Sequence, residues 1–244
     1  MMAGASGRVF AAPVFLLIVC LRPAFAGECD PNVASLIPRL IEEGRELRSV
    51  PFPDVVLAAT GKKILPVDPD VDGPWLERLS LAVGRTLETL NAPDGGIHRS
   101  LRINEASRPI EDRLRAELNA EAGWSCGIPT TASGEEQRSG YPDLRLVLGD
   151  GGVVYLDPKL YSSPESTLRT FYFEPQTETN KIRDDARHLL VAIRHNGKTG
   201  ADLRLLGWQL IDVSRLRVRL KAEFQASNKD MYRPENVVGR GTLP

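Results

Sequence analysis

Histidine and cysteine are scarce: three of each among 244 residues. His98, His188 and His195 show no metal-ligand spacing. His188 and His195 are seven residues apart, which on one continuous strand puts them on opposite faces. No G-x-S-x-G elbow is present, so a serine hydrolase of that type lacks support. The segment AIRHNGKT (192–199) approaches a phosphate-binding P-loop, but Ala192 stands where the first glycine belongs, and Asn196-Gly197 explains it better as a turn. Internal repeats and low-complexity stretches are missing. The apolar run Val9–Leu21 has thirteen residues, too few for a membrane span.

That run has another reading. Arg8 precedes it, and Ala24-Phe25-Ala26 follows as an A-x-A cleavage site. Together they predict a signal peptide, residues 1–26, cut after Ala26, and a secreted or periplasmic protein. Cys20 leaves with the leader. Cys29 and Cys126 remain for an oxidising compartment, where a single disulfide is expected, set against two unpaired buried thiols.

Net charge is close to zero, formally −1. Its distribution is uneven: residues 181–240 hold 13 Lys and Arg against 7 Asp and Glu. Such a segment suits either a basic side facing a polyanion or a solvated mixed surface.

Apolar periodicity predicts a helix over 32–48, from Leu36, Ile37, Leu40, Ile41 and Leu47. A short strand is expected at 55–59. A second helix follows from Pro74 to Asn91, with Leu76, Leu79, Val83, Leu87 and Leu90 on one face. A third is expected over 109–122, capped by Ser107, with Ile110, Leu114, Leu118 and Ala122 as its stripe. Residues 178–187 have helical spacing at Ile182, Ala186 and Leu189. The run Leu189–Ile193 is apolar on both faces, which predicts a strand inside a sheet. Residues 203–213 read as another strand. In 215–221, Arg215, Arg217, Arg219 and Lys221 alternate with Leu216, Val218 and Leu220. This order predicts an α/β or α+β fold around a mixed sheet.

The segment YPDLRLVLGDGGVVYLDPKLY (141–161) carries the chemistry. Its two apolar stretches around Gly149–Gly152 predict a β-hairpin, yet Asp143, Asp157 and Lys159 sit within it. Asp157 and Lys159 share a face because strand side chains alternate. Asp143 joins them only in one register. A two-residue turn sets Asp143 opposite Pro158 and away from Asp157. A three-residue loop ending in a left-handed glycine pairs Leu148 with Gly152 and puts Asp143 opposite Asp157. In that register two carboxylates offer oxygen ligands to Mg²⁺, and the lysine can serve an attacking water or the charge on phosphorus.

Pro142-Asp143 followed by Asp157-Pro158-Lys159 resembles the PD-(D/E)xK nuclease superfamily, the restriction-endonuclease-like enzymes. The helix IEDRLRAELNAEAGW (110–124) is similar to the family's upstream helix, with Glu111 in the place of its glutamate. The resemblance covers 107–213. It implies a mixed sheet flanked by helices in residues 107–244, behind an N-terminal helical region at 27–106. It further implies Mg²⁺, or Mn²⁺, on Asp143, Asp157 and Glu111, with Lys159 assisting water. The substrate would be nucleic acid, by analogy DNA. One departure stands out: Pro158 occupies a position the family gives to an apolar strand former. A catalytically inactive nucleic-acid-binding or interaction protein on the same fold is therefore the alternative. Asn180 or Lys181 at the start of a helix, and the face of Arg215, Arg217, Arg219 and Lys221, are candidate phosphate contacts. An immunity partner and a homodimer both stay open.

Overall fold

The computed structural model of the chain describes residues 31–99, 102–163, 171–175, 178–221 and 226–239. The expected leader and Cys29 lie outside them. Residues 1–43 and 44–244 form two units. The described part of the first belongs to α1 (Pro31–Glu46), the helix that its leucines and isoleucines predict.

The second unit runs β1 (Val50–Pro51), α2 (Phe52–Thr60), β2 (Ile64–Leu65), α3 (Pro69–Asn91), α4 (Ser107–Asn119), β3 (Ser125–Gly127), β4 (Leu144–Val147), β5 (Val153–Tyr161), β6 (Ala186–His195), β7 (Leu205–Asp212), β8 (Arg217–Val218) and α5 (Asn228–Met231). Six strands form one sheet in the order β2-β6-β5-β4-β3, with β7 also paired to β6. β6 runs parallel to β2 and β5, and the other pairings in this sheet are antiparallel. The mixed sheet flanked by helices is the expected fold class.

The sheet has a core on each face. On one, Leu79, Val83, Leu87 and Leu90 of α3 and Ile110, Leu114 and Leu118 of α4 pack on Leu144, Leu146, Leu156, Leu189, Val191 and Ile193. Each such side chain contributes about 1.5–3 kcal/mol on burial. Arg85 also clasps the two helices, donating to Glu117 (2.9 Å) and Glu121 (2.6 Å). On the other face Phe52, Val56, Tyr141, Tyr155, Ile182, Ala186 and Val213 cluster. The Phe52 ring meets Tyr141, Phe171 and Phe173 edge-on at 5.5, 5.1 and 5.6 Å. β6 is apolar on both sides because it is buried on both. α2 and α3, from the region read as an N-terminal helical extension, belong to the same two cores as the sheet.

Several local expectations are corrected. Residues 55–59 are helical, not extended. Pro53 sits in the first turn of α2, and Gly61, at φ +69°, ends it by donating to Leu57 O. These terminators outweigh the β-branched pair Val55-Val56. α3 begins at Pro69, before Pro74, because Asp68 caps it through the Asp70 N–H. α4 begins at Ser107 itself, so Ser107 is not the cap. It stops at Asn119, whose side-chain amide exchanges two hydrogen bonds with the Cys126 backbone and docks the helix end onto β3.

Residues 178–185 form no helix. Their backbone is held from the side instead: Ile182 N–H donates to Asn180 Oδ1, and Arg183 N–H to the Tyr155 hydroxyl. Such bonds compete with helical ones. Cys29, the partner expected for Cys126, lies outside the described residues. Cys126 is a free thiol buried under α4.

Candidate active site

The site begins in a turn. Leu148 N–H donates to Gly152 O (2.8 Å), Gly151 N–H to Leu148 O (2.9 Å), and Gly151 has φ +85°. This is the three-residue loop ending in a left-handed glycine. It sets the register Leu144↔Leu156, Arg145↔Tyr155, Leu146↔Val154, Val147↔Val153. One step further, Asp143 faces Asp157, and its N–H reaches Leu156 O at 3.2 Å.

The same register accommodates Pro158. With Leu148 bonded to Gly152, the even residues of β5 turn their backbone toward β4. Pairing with β4 ends at Leu144↔Leu156. Pro158 therefore lacks its N–H where no strand accepts one, while on its other side β5 continues along β6 past Pro158↔Val191 to Tyr161↔Arg194.

Asp157 is buried (1% exposed). The Lys159 ammonium lies 2.7 Å from its Oδ2 and 3.7 Å from Asp143 Oδ2. The closer approach is poorly directed, an ion pair rather than a hydrogen bond, so both Asp157 oxygens are buried without a hydrogen-bond partner. Burial, then the charge of Asp143, raises the Asp157 pKa to about 8 against the pull of Lys159. Burial alone would lower the pKa of Lys159, but Asp157 and Asp143 outweigh it and hold the ammonium protonated.

Glu111 comes from the second turn of α4 and lines the same cleft, of about 920 Å³, as Asp143 and Lys159. Burial, then Asp143, raises its pKa to about 7. Arg138 approaches it at 3.7 Å and bonds Asp112 at 2.8 Å. The cleft floor continues across the sheet through Ala192 and Gln209, which stand level with Lys159 in the ladder.

Among the described residues no group of three or more His, Cys, Asp or Glu is arranged to hold a metal ion. The donors brought together are therefore two, Asp143 and Asp157, with Glu111 near but apart. That pair fits a small hard cation: its oxygens are carboxylate, and Asp157 Oδ1 makes no hydrogen bond to a described residue. Mg²⁺ commonly takes one or two protein carboxylates.

Two candidate phosphate contacts do not join the site in the expected way. Lys181 starts no helix and is not exposed. It is 1% exposed, and its Nζ donates to Gln137 O (2.9 Å) and Gly140 O (2.7 Å), pinning the loop that leads into Asp143. Arg215, Arg217, Arg219 and Lys221 are exposed, but β8 spans only two residues and pairs with β1 in a separate small sheet. Arg217 there bonds Ser49 Oγ (2.7 Å), and none of the four lines the cleft.

Residues 45–235 match the family of the type II restriction enzyme MjaV. The chain belongs to this family. The type II restriction enzyme MjaV of Methanocaldococcus jannaschii is 29% identical over 223 residues, covering 85% of this chain and 94% of the relative. No solved structure matches. The MjaV-family match spans both cores and the whole of the carboxylate hairpin.

Within this MjaV-family chain, sequence reasoning missed three residues around the site. Arg138 lay in a polar loop with no periodicity to place it beside Glu111. Tyr141 packs under the hairpin, its hydroxyl 2.7 Å from His188 Nδ1. Its place two residues before Asp143, and so on the same face, was the available signal. Arg183 was hidden by the helical reading of its segment.

Proposed function

We propose that this chain is a Mg²⁺-dependent endonuclease that hydrolyses phosphodiester bonds of DNA, built on the PD-(D/E)xK pattern. The observation that carries the reading is Asp157: a buried carboxylate opposite Asp143 and ion-paired with a protonated lysine, beside a cleft that Asp143, Lys159 and Glu111 line. Membership of a restriction-enzyme family, and a relative named as a type II restriction enzyme, support DNA as the substrate.

In this reading Asp143 and Asp157 hold the cation. Bound there, Mg²⁺ would polarise the phosphodiester and lower the pKa of water. Lys159 presents its ammonium to the attacking water and to the charge that builds on the phosphoryl oxygens, a preorganised donor in a partly dry site. Glu111 adds a third carboxyl on the cleft wall. Exposed Arg215, Arg217 and Arg219 extend the positive surface available to the DNA backbone. The same proposal has the chain exported and cut after Ala26. That part rests on the leader sequence alone, and an N-terminus at Gly27 in protein recovered outside the cytoplasm supports it.

The test is nicking of supercoiled plasmid by the purified chain. Nicking is expected with Mg²⁺ or Mn²⁺ and not with EDTA, and Asp157→Ala or Lys159→Ala should lower it by 100-fold or more, roughly the cost of losing a charge-stabilising group. Equal nicking by folded variants would sink the assignment.

A further inference from the structure

A second recess, of about 340 Å³, opens on the same sheet face toward the edge strand β3. Its walls include Ser125, Thr130, Arg145, Lys181, Arg183 and Asp184. Three cations meet one carboxylate there, and that carboxylate is taken. Asp184 accepts two bonds from Arg145 (2.8 and 3.0 Å) and one from the Tyr155 hydroxyl (2.7 Å). Lys181 spends its ammonium on loop carbonyls. Arg183 differs. Its Nη2 reaches Asn180 O (2.6 Å), but its Nε is buried with no hydrogen-bond partner. A buried donor left unpaired costs about 1–3 kcal/mol. With Asp184 paired to Arg145, Arg183 has no carboxylate partner among the described residues, and the recess keeps an excess of positive charge that an anion would answer.

The position of the recess says which anion. Arg145 lies two residues along β4 from Asp143 and on the same face, roughly 7 Å away at strand spacing. That is about two base-pair rises along one DNA strand. We propose that this recess holds a DNA phosphate within a nucleotide or two of the bond that is cut, with Arg183 as its donor and the exposed hydroxyls of Ser125 and Thr130 at its rim. The inference rests on the nuclease reading and adds to it a binding subsite outside the carboxylate cleft.

The test is fluorescence anisotropy of a labelled DNA duplex with the purified chain in Ca²⁺, over a series of salt concentrations. Arg183→Gln should weaken binding by about tenfold and flatten the log Kd against log salt slope by about one, the signature of one lost phosphate contact. Arg183→Lys should keep the slope, because it keeps the charge. Thermal melts establish that both variants fold. Unchanged affinity and slope in folded Arg183→Gln overturns the subsite. So does an equal loss in Arg183→Lys, which points to local packing instead. Plasmid nicking by wild type, read in parallel, separates the two claims. Nicking with an unaffected Arg183→Gln removes only the subsite; salt-dependent binding lost in Arg183→Gln, without wild-type nicking, removes only the nuclease.

Discussion

The three-residue loop of the carboxylate hairpin depends on Gly151, and substitution there can be worked out from the backbone. Gly151 has φ +85°, and a Cβ built on it meets nothing within 4 Å. The whole cost of Gly151→Ala is therefore conformational: an L-residue in the left-handed region loses roughly 1–2 kcal/mol. Asn tolerates that region better, so Gly151→Asn should cost less than Gly151→Ala. Gly152 is the control. Its Cβ would meet Asp150 Oδ1 at 3.1 Å, the far end of a side chain, and otherwise only ordinary contacts with Leu148 Cδ1 (3.6 Å) and Asp150 Cγ (3.8 Å), and its φ is ordinary. Gly152→Ala should cost under about 0.5 kcal/mol, as surface changes usually do. Urea unfolding of the three variants measures these differences. The functional corollary follows from register. Deleting Gly151 leaves Gly149-Asp150 as a two-residue turn between the same pair, Leu148 and Gly152, so Asp143 stays opposite Asp157 and nicking should survive wherever the protein remains folded. Equal costs for Gly151→Ala and Gly152→Ala, or loss of nicking in a folded deletion variant, would show that Gly151 does not act in this way.

Three further outcomes are expected. Burial holds the His188 pKa down at about 3, against a small opposing effect of Asp212. The unfolded state, with its ordinary pKa near 6.5, then binds a proton that the folded state refuses. His188 contributes stability that is complete above about pH 6.5 and is lost toward pH 3, at up to about 1.4 kcal/mol per pH unit. Urea unfolding at pH 6 and pH 4 should show a flatter dependence in His188→Gln, and an unchanged slope contradicts this. Lys181→Met strips the donor from Gln137 O and Gly140 O, so it should lose about 1–3 kcal/mol of stability while leaving the salt dependence of DNA binding as it was; a flattened salt slope would restore its role as a phosphate contact. The Cys126 thiol, raised to about 12 by burial, should resist an aromatic disulfide reagent in the native protein and react only in denaturant. Rapid native labelling tells against the buried free thiol.

Elements whose signals were local and redundant could be read in the sequence. α3 and α4 carry unbroken apolar stripes, and β6 is apolar on both faces as a central strand must be. The hairpin was legible down to a choice between two registers, and the double glycine favoured neither by itself. What settles it is that Gly151 takes the left-handed conformation while Gly152 pairs with Leu148. Other features depend on contacts distant in sequence. Residues 55–59 have strand-like composition, but Pro53 and Gly61 bracket one helical turn after another and Phe52 and Val56 bury one face. Residues 178–185 have helical spacing, yet the Tyr155 hydroxyl and the Asn180 side chain take the backbone donors that a helix would use. The burial of Lys181 had no local signal, because its partners lie more than forty residues earlier. Pro158 looked disruptive only while its neighbours were unknown.

Asp143 and Asp157 are proposed to form one cation site. Calorimetric titration of Mn²⁺ into the purified chain bound to a DNA duplex, under conditions too brief or too cold for cleavage, tests it most directly. Wild type should bind the metal, and Asp143→Asn and Asp157→Asn should each weaken binding at least tenfold while still melting cooperatively. Metal affinity that is the same in both variants as in wild type would rule that site out.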